Sequence, residues 1–153
     1  MSDTNKEVNI TQIFNAPRDV VFDMFTKEEF VSKWWGPNGF TNPVCKLDPK
    51  SGGKIYIEMT GPDGTAYPMQ GTFHEIIKPS LLVFSSTTME DRDGKPQLED
   101  VTTVTFNEEE GKTKLTLHAV IIKAADEAKE AVDGMEEGWS QSLDRLSKLT
   151  NNN

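Results

Sequence analysis

The chain has 153 residues, 27% of them charged, and a formal net charge of -9 at pH 7. That length fits one domain with a buried core. The acidic balance, with no Lys/Arg run, argues against nucleic acid and anionic membrane surfaces as partners, since both need clustered cations. The one cysteine, Cys45, excludes an internal disulfide and suits a reducing cytosol. The polar start has no signal-peptide core, and no apolar run approaches the roughly 20 residues of a membrane span. The expectation is a single cytoplasmic domain over residues 1–153, with a polar tail from Thr150 that frays, above all over 151–153.

In chain order, Val8, Ile10, Gln12 and Phe14 alternate with Asn9 and Thr11, which predicts a first strand ending near Phe14. Asn15-Ala16-Pro17 breaks it, and Pro17 suits the first position of a helix whose buried side is Val21, Phe22 and Phe25. Thr26-Lys27-Glu28-Glu29 matches a capping box, so a second short helix is expected to begin at Thr26 with Phe30 and Trp34 on one face. Gly36-Pro37-Asn38-Gly39 ends it in a turn.

From Pro43 to Ile122 the pattern is a β-meander. Its strands are expected at Val44–Leu47, Ile55–Met59, Tyr67–Ile77, Leu81–Thr88, Asp100–Asn107 and Lys112–Ile122. Turns fall at Asp48–Gly53, Gly61-Pro62-Asp63-Gly64, Lys78-Pro79-Ser80, Arg92–Pro96 and Glu108–Gly111. A long helix then runs from Ala124 to about Leu149. Ala128, Val132, Met135, Trp139, Leu143 (or Ser142), Leu146 and Leu149 form its apolar stripe, and Glu127, Glu130, Asp133, Glu137, Asp144 and Lys148 its solvated face. Arg145 and Lys148 near its end suit the helix dipole. Gly134 and Gly138 inside it each cost about 1 kcal/mol relative to alanine. Close backbone approach to the sheet explains them better than space left for a ligand beside Met135 and Trp139. Segregated helices and a hairpin-linked sheet make the fold class α+β, with a curved antiparallel sheet wrapped around the last helix.

The residues that carry a family resemblance follow the same order. They are Ala16-Pro17 with Val20 to Phe25, Trp34-Trp35-Gly36-Pro37, Gly52-Gly53 before Ile55, and Pro62-Asp63-Gly64. Further on come Gly71 to Ile76, Leu82-Val83-Phe84, Thr113 to Leu117, and Gly138-Trp139 with Leu143 and Leu146. Together they resemble the START-like (SRPBCC) helix-grip superfamily and, within it, the homologues of the activator of the heat-shock-protein-90 ATPase. The resemblance implies one helix-grip domain of seven strands with a cavity under the C-terminal helix. It also implies a hydrophobic small molecule as ligand, or a chaperone-like ATPase as partner in a stress response. The separate N-terminal domain by which the eukaryotic activator contacts its chaperone is not in this sequence.

Strand parity tests for chemistry. His74 lies opposite in parity to Met69, Gly71 and Phe73, and His118 opposite to Leu115, Leu117 and Ala119, so both histidines face outward on strands separated by two others. With Cys45 distant, no metal site is expected, and no nucleophile elbow or phosphate loop suggests a cofactor. Glu75 shares parity with Phe73 and is the carboxylate candidate for an inward acid or base. The leading expectation is a binding protein, monomer or homodimer, for an apolar or aromatic small molecule. Its site residues are Trp35, Phe40, Ile57, Met59, Met69, Phe73, Phe84, Met135, Trp139 and Leu143. The alternatives are a protein-interaction module acting through the acidic surface and a cyclase- or hydratase-type enzyme using Glu75.

Overall fold

Period-two apolar alternation in the chain produces strands, and they assemble into one sheet. The computed structural model describes residues 7–90, 96–125 and 129–151. The elements are β1 (Glu7–Phe14), α1 (Arg18–Thr26), α2 (Glu28–Trp34), β2 (Thr41–Leu47), β3 (Lys54–Thr60), β4 (Ala66–Ile77), β5 (Leu81–Glu90), β6 (Pro96–Glu109), β7 (Lys112–Ala124), α3 (Lys129–Asp133) and α4 (Met135–Asn151). The seven strands lie in the order β1-β7-β6-β5-β4-β3-β2, antiparallel throughout. The first strand therefore pairs beside the last, and the remainder is a meander. This is the α+β helix-grip architecture, an open curved sheet with a C-terminal helix.

Cross-strand register turns the alternation into rows on the inner face. One row runs Phe73, Phe84, Thr102, Ala119 and Val8 across β4, β5, β6, β7 and β1. The next runs Gly71, Ser86, Asp100 and Ile121. The first row joins the main core, which also holds Trp34, Val104, Phe106, Leu115, Leu117, Leu143 and Leu146. Leu98, Ile121 and Val132 form a smaller cluster with Ala124 and Met135 beside them. Between the two clusters the inner face is polar: Ser86, Asp100 and Thr102 are 8%, 9% and 1% exposed.

Local chemistry departs from expectation in several places. The capping box does not form. Thr26 ends α1 and donates its hydroxyl to the Phe22 carbonyl at 3.3 Å, while Lys27 becomes the N-cap of α2 with no side-chain cap bond. Pro17 sits one position earlier than expected, as N-cap of α1, its carbonyl accepting from Val20 and Val21. The last helix is shorter and broken. Ala124 is still strand, paired with Leu98, and Gly134 separates α3 from α4. Glycine's poor helix propensity suits that break, and the Gly138 N–H still reaches back to the Gly134 carbonyl at 2.9 Å. Ala128 and the loop residues 91–95 fall outside the described residues. Helix α4 reaches Asn151, and Thr150 within it is 2% exposed.

The helices are held by side-chain to backbone bonds. Trp34 Nε1 donates to the Met24 carbonyl at 2.8 Å and ties α2 to α1. Arg145 ties α4 to the α2–β2 connection. Its Nη1 donates to the carbonyls of Trp35, Gly36 and Pro37 at 3.2, 2.9 and 3.0 Å, and its Nη2 to those of Lys33 and Phe40 at 3.1 and 2.9 Å. Asn42 donates to Ser32 and Trp35 carbonyls from the other side. Together they satisfy carbonyls that the end of α2 leaves without intrahelical donors.

Removing the guanidinium should orphan those acceptors. Arg145→Met is expected to lower unfolding free energy by on the order of 3 kcal/mol in urea denaturation, the range for carbonyls left without a donor. Arg145→Lys should recover less than half of that, because an ammonium has three donors and no planar fork. An unchanged urea midpoint in Arg145→Met would show that the join is held by packing instead.

Asp100 makes a second prediction. Burial pushes its carboxyl up to about 6, against the opposing pull of the Ser86 hydroxyl. The native protein thus keeps a proton that the unfolded chain has already lost. That contribution to stability is full below the ordinary carboxylate range and is lost as pH rises through about 6. Asp100→Asn, which keeps the shape and the Ser86 bond, should raise the melting temperature by several degrees at pH 7.5. The gain should shrink to nothing near pH 4. A gain independent of pH would assign the effect to something other than the buried charge.

Candidate ligand site between the sheet and the last helix

The site begins at the end of α2. Helix α2 stops at Trp34, and Trp35 turns out in extended backbone with φ -63 and ψ 134. Its ring reaches Trp139 of α4 edge-on at 5.3 Å, Phe84 of β5 at 6.2 Å and Trp34 at 5.6 Å. Trp35, Met135 and Trp139 are half-buried, so they form a seam between the sheet, the α2–β2 connection and α4. Behind Trp35 lies a void of about 10 Å³ lined by Phe25, Val31, Trp35, Leu47, Ile55, Ile57, Phe73 and Phe84. That is room for about one water, so the side chains behind Trp35 are closely packed.

The ten expected site residues divide into groups. Trp35, Ile57, Phe73 and Phe84 come together around the void. Trp139 meets Trp35 edge to face, and Met135 lies on the same stretch of α4, packed toward both apolar clusters. Leu143 is fully buried in the main core, and Met69 is 3% exposed opposite Thr88. Met59 and Phe40 sit apart at the rim. Met59 Sδ lies where a Cβ on Gly36 would stand 3.1 Å from it, and Phe40 packs on Tyr67 with ring centroids 5.9 Å apart.

Other candidates land elsewhere. A bulge between Phe73 and Glu75 resets parity, so Glu75 is exposed and Ile76 packs against the core in its place. His74 and His118 are on the outer face, one contacting Ser85 Oγ at 2.9 Å and the other Glu7 Oε1 at 2.7 Å. Cys45 is half-buried, and burial, aided by Glu28, pushes its thiol up to about 11, which keeps it an unreactive thiol. Gly138 does not press against the sheet as expected; a Cβ there would meet the Pro37 ring at an ordinary 3.9 Å.

Sequence reasoning missed the polar part of the inner face. Ser86 Oγ donates to Asp100 Oδ1 at 2.7 Å, and Thr102 Oγ1 is buried without a partner among the described residues. Parity could have found them, since Asp100 and Thr102 continue the inward set of Val104 and Phe106. The Ser86–Asp100 pair thus lies on the inner face, and both histidines lie on the opposite one. Gln141 adds a last tie across the seam, its Oε1 accepting from the Asn38 backbone N–H at 3.0 Å.

Solved structures share this architecture. A solution NMR structure of a protein from Arthrobacter aurescens matches with TM-score 0.83 at 25% identity, covering 99% of this chain and 89% of that one. A crystal structure from Mycobacterium smegmatis matches with TM-score 0.78 at 27% identity, covering 95% and 90%. The AHSA1 protein of Silicibacter pomeroyi matches with TM-score 0.80 at 23% identity, covering 96% and 99%. No curated protein matches the chain. The sequence model of one family, described as "Activator of Hsp90 ATPase homolog 1-like protein", matches residues 15–151, and the chain belongs to that family.

Proposed function

We propose that the protein binds an apolar or aromatic small molecule in the seam between the sheet and α4. The observation that carries this reading is the meeting of two half-buried tryptophans, Trp35 and Trp139, one of which, Trp35, also lines a small void among apolar side chains. A pair of large rings at a partly open edge offers flat surfaces for a ring or chain to stack on. A void of about 10 Å³ accepts no such ligand as it stands. Binding therefore requires the seam to part, with the ligand taking over contacts that the rings now make with each other. Burying about 200 Å² of apolar ligand surface would supply roughly 5 kcal/mol before the costs of ordering and opening.

The family description supports a second reading, activation of a chaperone ATPase through the acidic surface. Stimulation of such an ATPase that weakens with salt would favour it.

Native mass spectrometry of protein purified without detergent tests the first reading. A reproducible extra mass, lost on denaturation, is expected for the natural chain and not for Trp139→Glu with an intact circular dichroism melt. Bare mass in both, together with no saturable response of tryptophan fluorescence to aromatic probes, would overturn it.

A further inference from the structure

The inner-face row beside the seam has a chemical character of its own. Ser86 and Asp100 stand directly opposite each other on β5 and β6, and Thr102 follows two residues on, roughly 7 Å along the same strand face. Thr102 is flanked across the sheet by Phe84, a neighbour of Trp35, and by Ala119. Gly71 lies across from Ser86 and contributes no side chain, so the polar groups are not covered from β4. A Cβ at Gly71 would run into the Ser85 carbonyl oxygen, which keeps that gap in place.

Such a row is costly in a packed core. The Thr102 hydroxyl is 1% exposed and has no hydrogen-bond partner among the described residues. An unmet hydroxyl of this kind carries a desolvation cost that valine, filling the same space, would not. Asp100 is 9% exposed, and Ser86 is its one hydrogen-bond partner among the described residues. None of them forms an ion pair with it. The neighbouring inner-face positions are Ile121 on β7, Thr88 on β5 and Leu98 on β6, with Met135 of α4 packed against the cluster of Leu98, Ile121 and Val132.

We propose that Ser86, Asp100 and Thr102 form the polar end of the seam site, and that its ligand is an apolar molecule carrying a hydroxyl group. This rests on the seam being a binding site at all. A hydroxyl suits the row because it can do two things at once. It donates its proton to the Asp100 carboxylate and accepts one from Thr102 Oγ, so both unmet capacities are satisfied by one atom. Ser86 holds the carboxylate in place through Oδ1. The apolar body lies toward Phe84, which pairs across from Thr102, and toward Trp35 and Trp139 beyond it.

The test uses the full-length chain and two probes of nearly equal shape, p-cresol and p-xylene, which differ by a hydroxyl in place of a methyl. Backbone amide NMR titrations give affinity and location together. For the natural chain, p-cresol should bind about tenfold more tightly than p-xylene and shift the amides of Ser86, Asp100 and Thr102. In Thr102→Val, which removes the hydroxyl at nearly constant volume, that preference should fall to near one while p-xylene binding is retained. Ser86→Ala, which frees the carboxylate to move, should reduce it several-fold and serves as the second variant should Thr102→Val misfold. Equal binding of the two probes, or a preference untouched by both variants, would overturn the polar end and leave the apolar seam standing. Saturable shifts from neither probe would sink the seam reading and this one with it.

Discussion

One guanidinium fixes the geometry on which the seam depends. Helix α2 ends with its carbonyls pointing at no donor, and the chain then has to reverse through Gly36-Pro37-Asn38-Gly39 before β2 begins. Arg145 collects the carbonyls of Lys33, Trp35, Gly36, Pro37 and Phe40 into one fork. Two of those carbonyls belong to Gly36 and Pro37, which follow Trp35 directly in the chain, and one to Trp35 itself. The ring therefore inherits its place opposite Trp139 from backbone held by α4. The same charge sits at the negative end of α2, so dipole and hydrogen bonds act in one direction. Burial lowers the Arg145 pKa, yet an arginine remains charged in such a place, which a lysine need not.

The sheet supplies the other half of the arrangement. Its order sets the longest strands, β6 and β7, side by side between β5 and β1, so the inner face under α4 is built from strands far apart in sequence. Most of that face is filled by side chains that need only be apolar and of the right size. Ser86, Asp100 and Thr102 break this uniformity at the joint between the main core and the small cluster of Leu98, Ile121 and Val132. A core optimised for stability alone would have replaced them, because a buried carboxylate and an unpartnered hydroxyl both work against folding. Their presence beside an aromatic seam is what links the energetics of the fold to the chemistry of the site.

Much of this was legible in the sequence. Alternation in Ile55-Tyr56-Ile57 or Leu115-Thr116-Leu117 specifies a strand and its buried face together, and the stripe from Val132 to Leu149 specifies the inward side of α3 and α4. The failures share a cause. Thr26 looks like a cap until its buried hydroxyl has the Phe22 carbonyl within reach. Glu75 looks inward until a bulge resets the count, and a bulge is set by the pairing of two strands rather than by one. Arg145 reads as a dipole partner of its own helix, because its acceptors lie more than a hundred residues earlier. Asp100 reads as a strand's polar beginning because the strand in fact starts at Pro96. Each error treats as local a choice that was made by contacts distant in sequence.

The two halves of α4 are not equally fastened. Toward the C-terminus, Leu143 and Leu146 are fully buried, Thr150 is nearly so, and Arg145 grips the loop. Toward the N-terminus, Met135 and Trp139 are half-buried, Glu136 and Glu137 face solvent, and Gly134 interrupts the helical run one residue before α4 starts. The apolar cluster beneath that end is the smaller one. Separation of a helix from a sheet begins where the least apolar surface has to be exposed and the fewest hydrogen bonds broken. If the seam parts, it parts from the Gly134 end, with the Arg145 contacts as the fixed point. That motion would uncover Trp139 and Met135 first and open toward Ser86, Asp100 and Thr102, while leaving the main core closed.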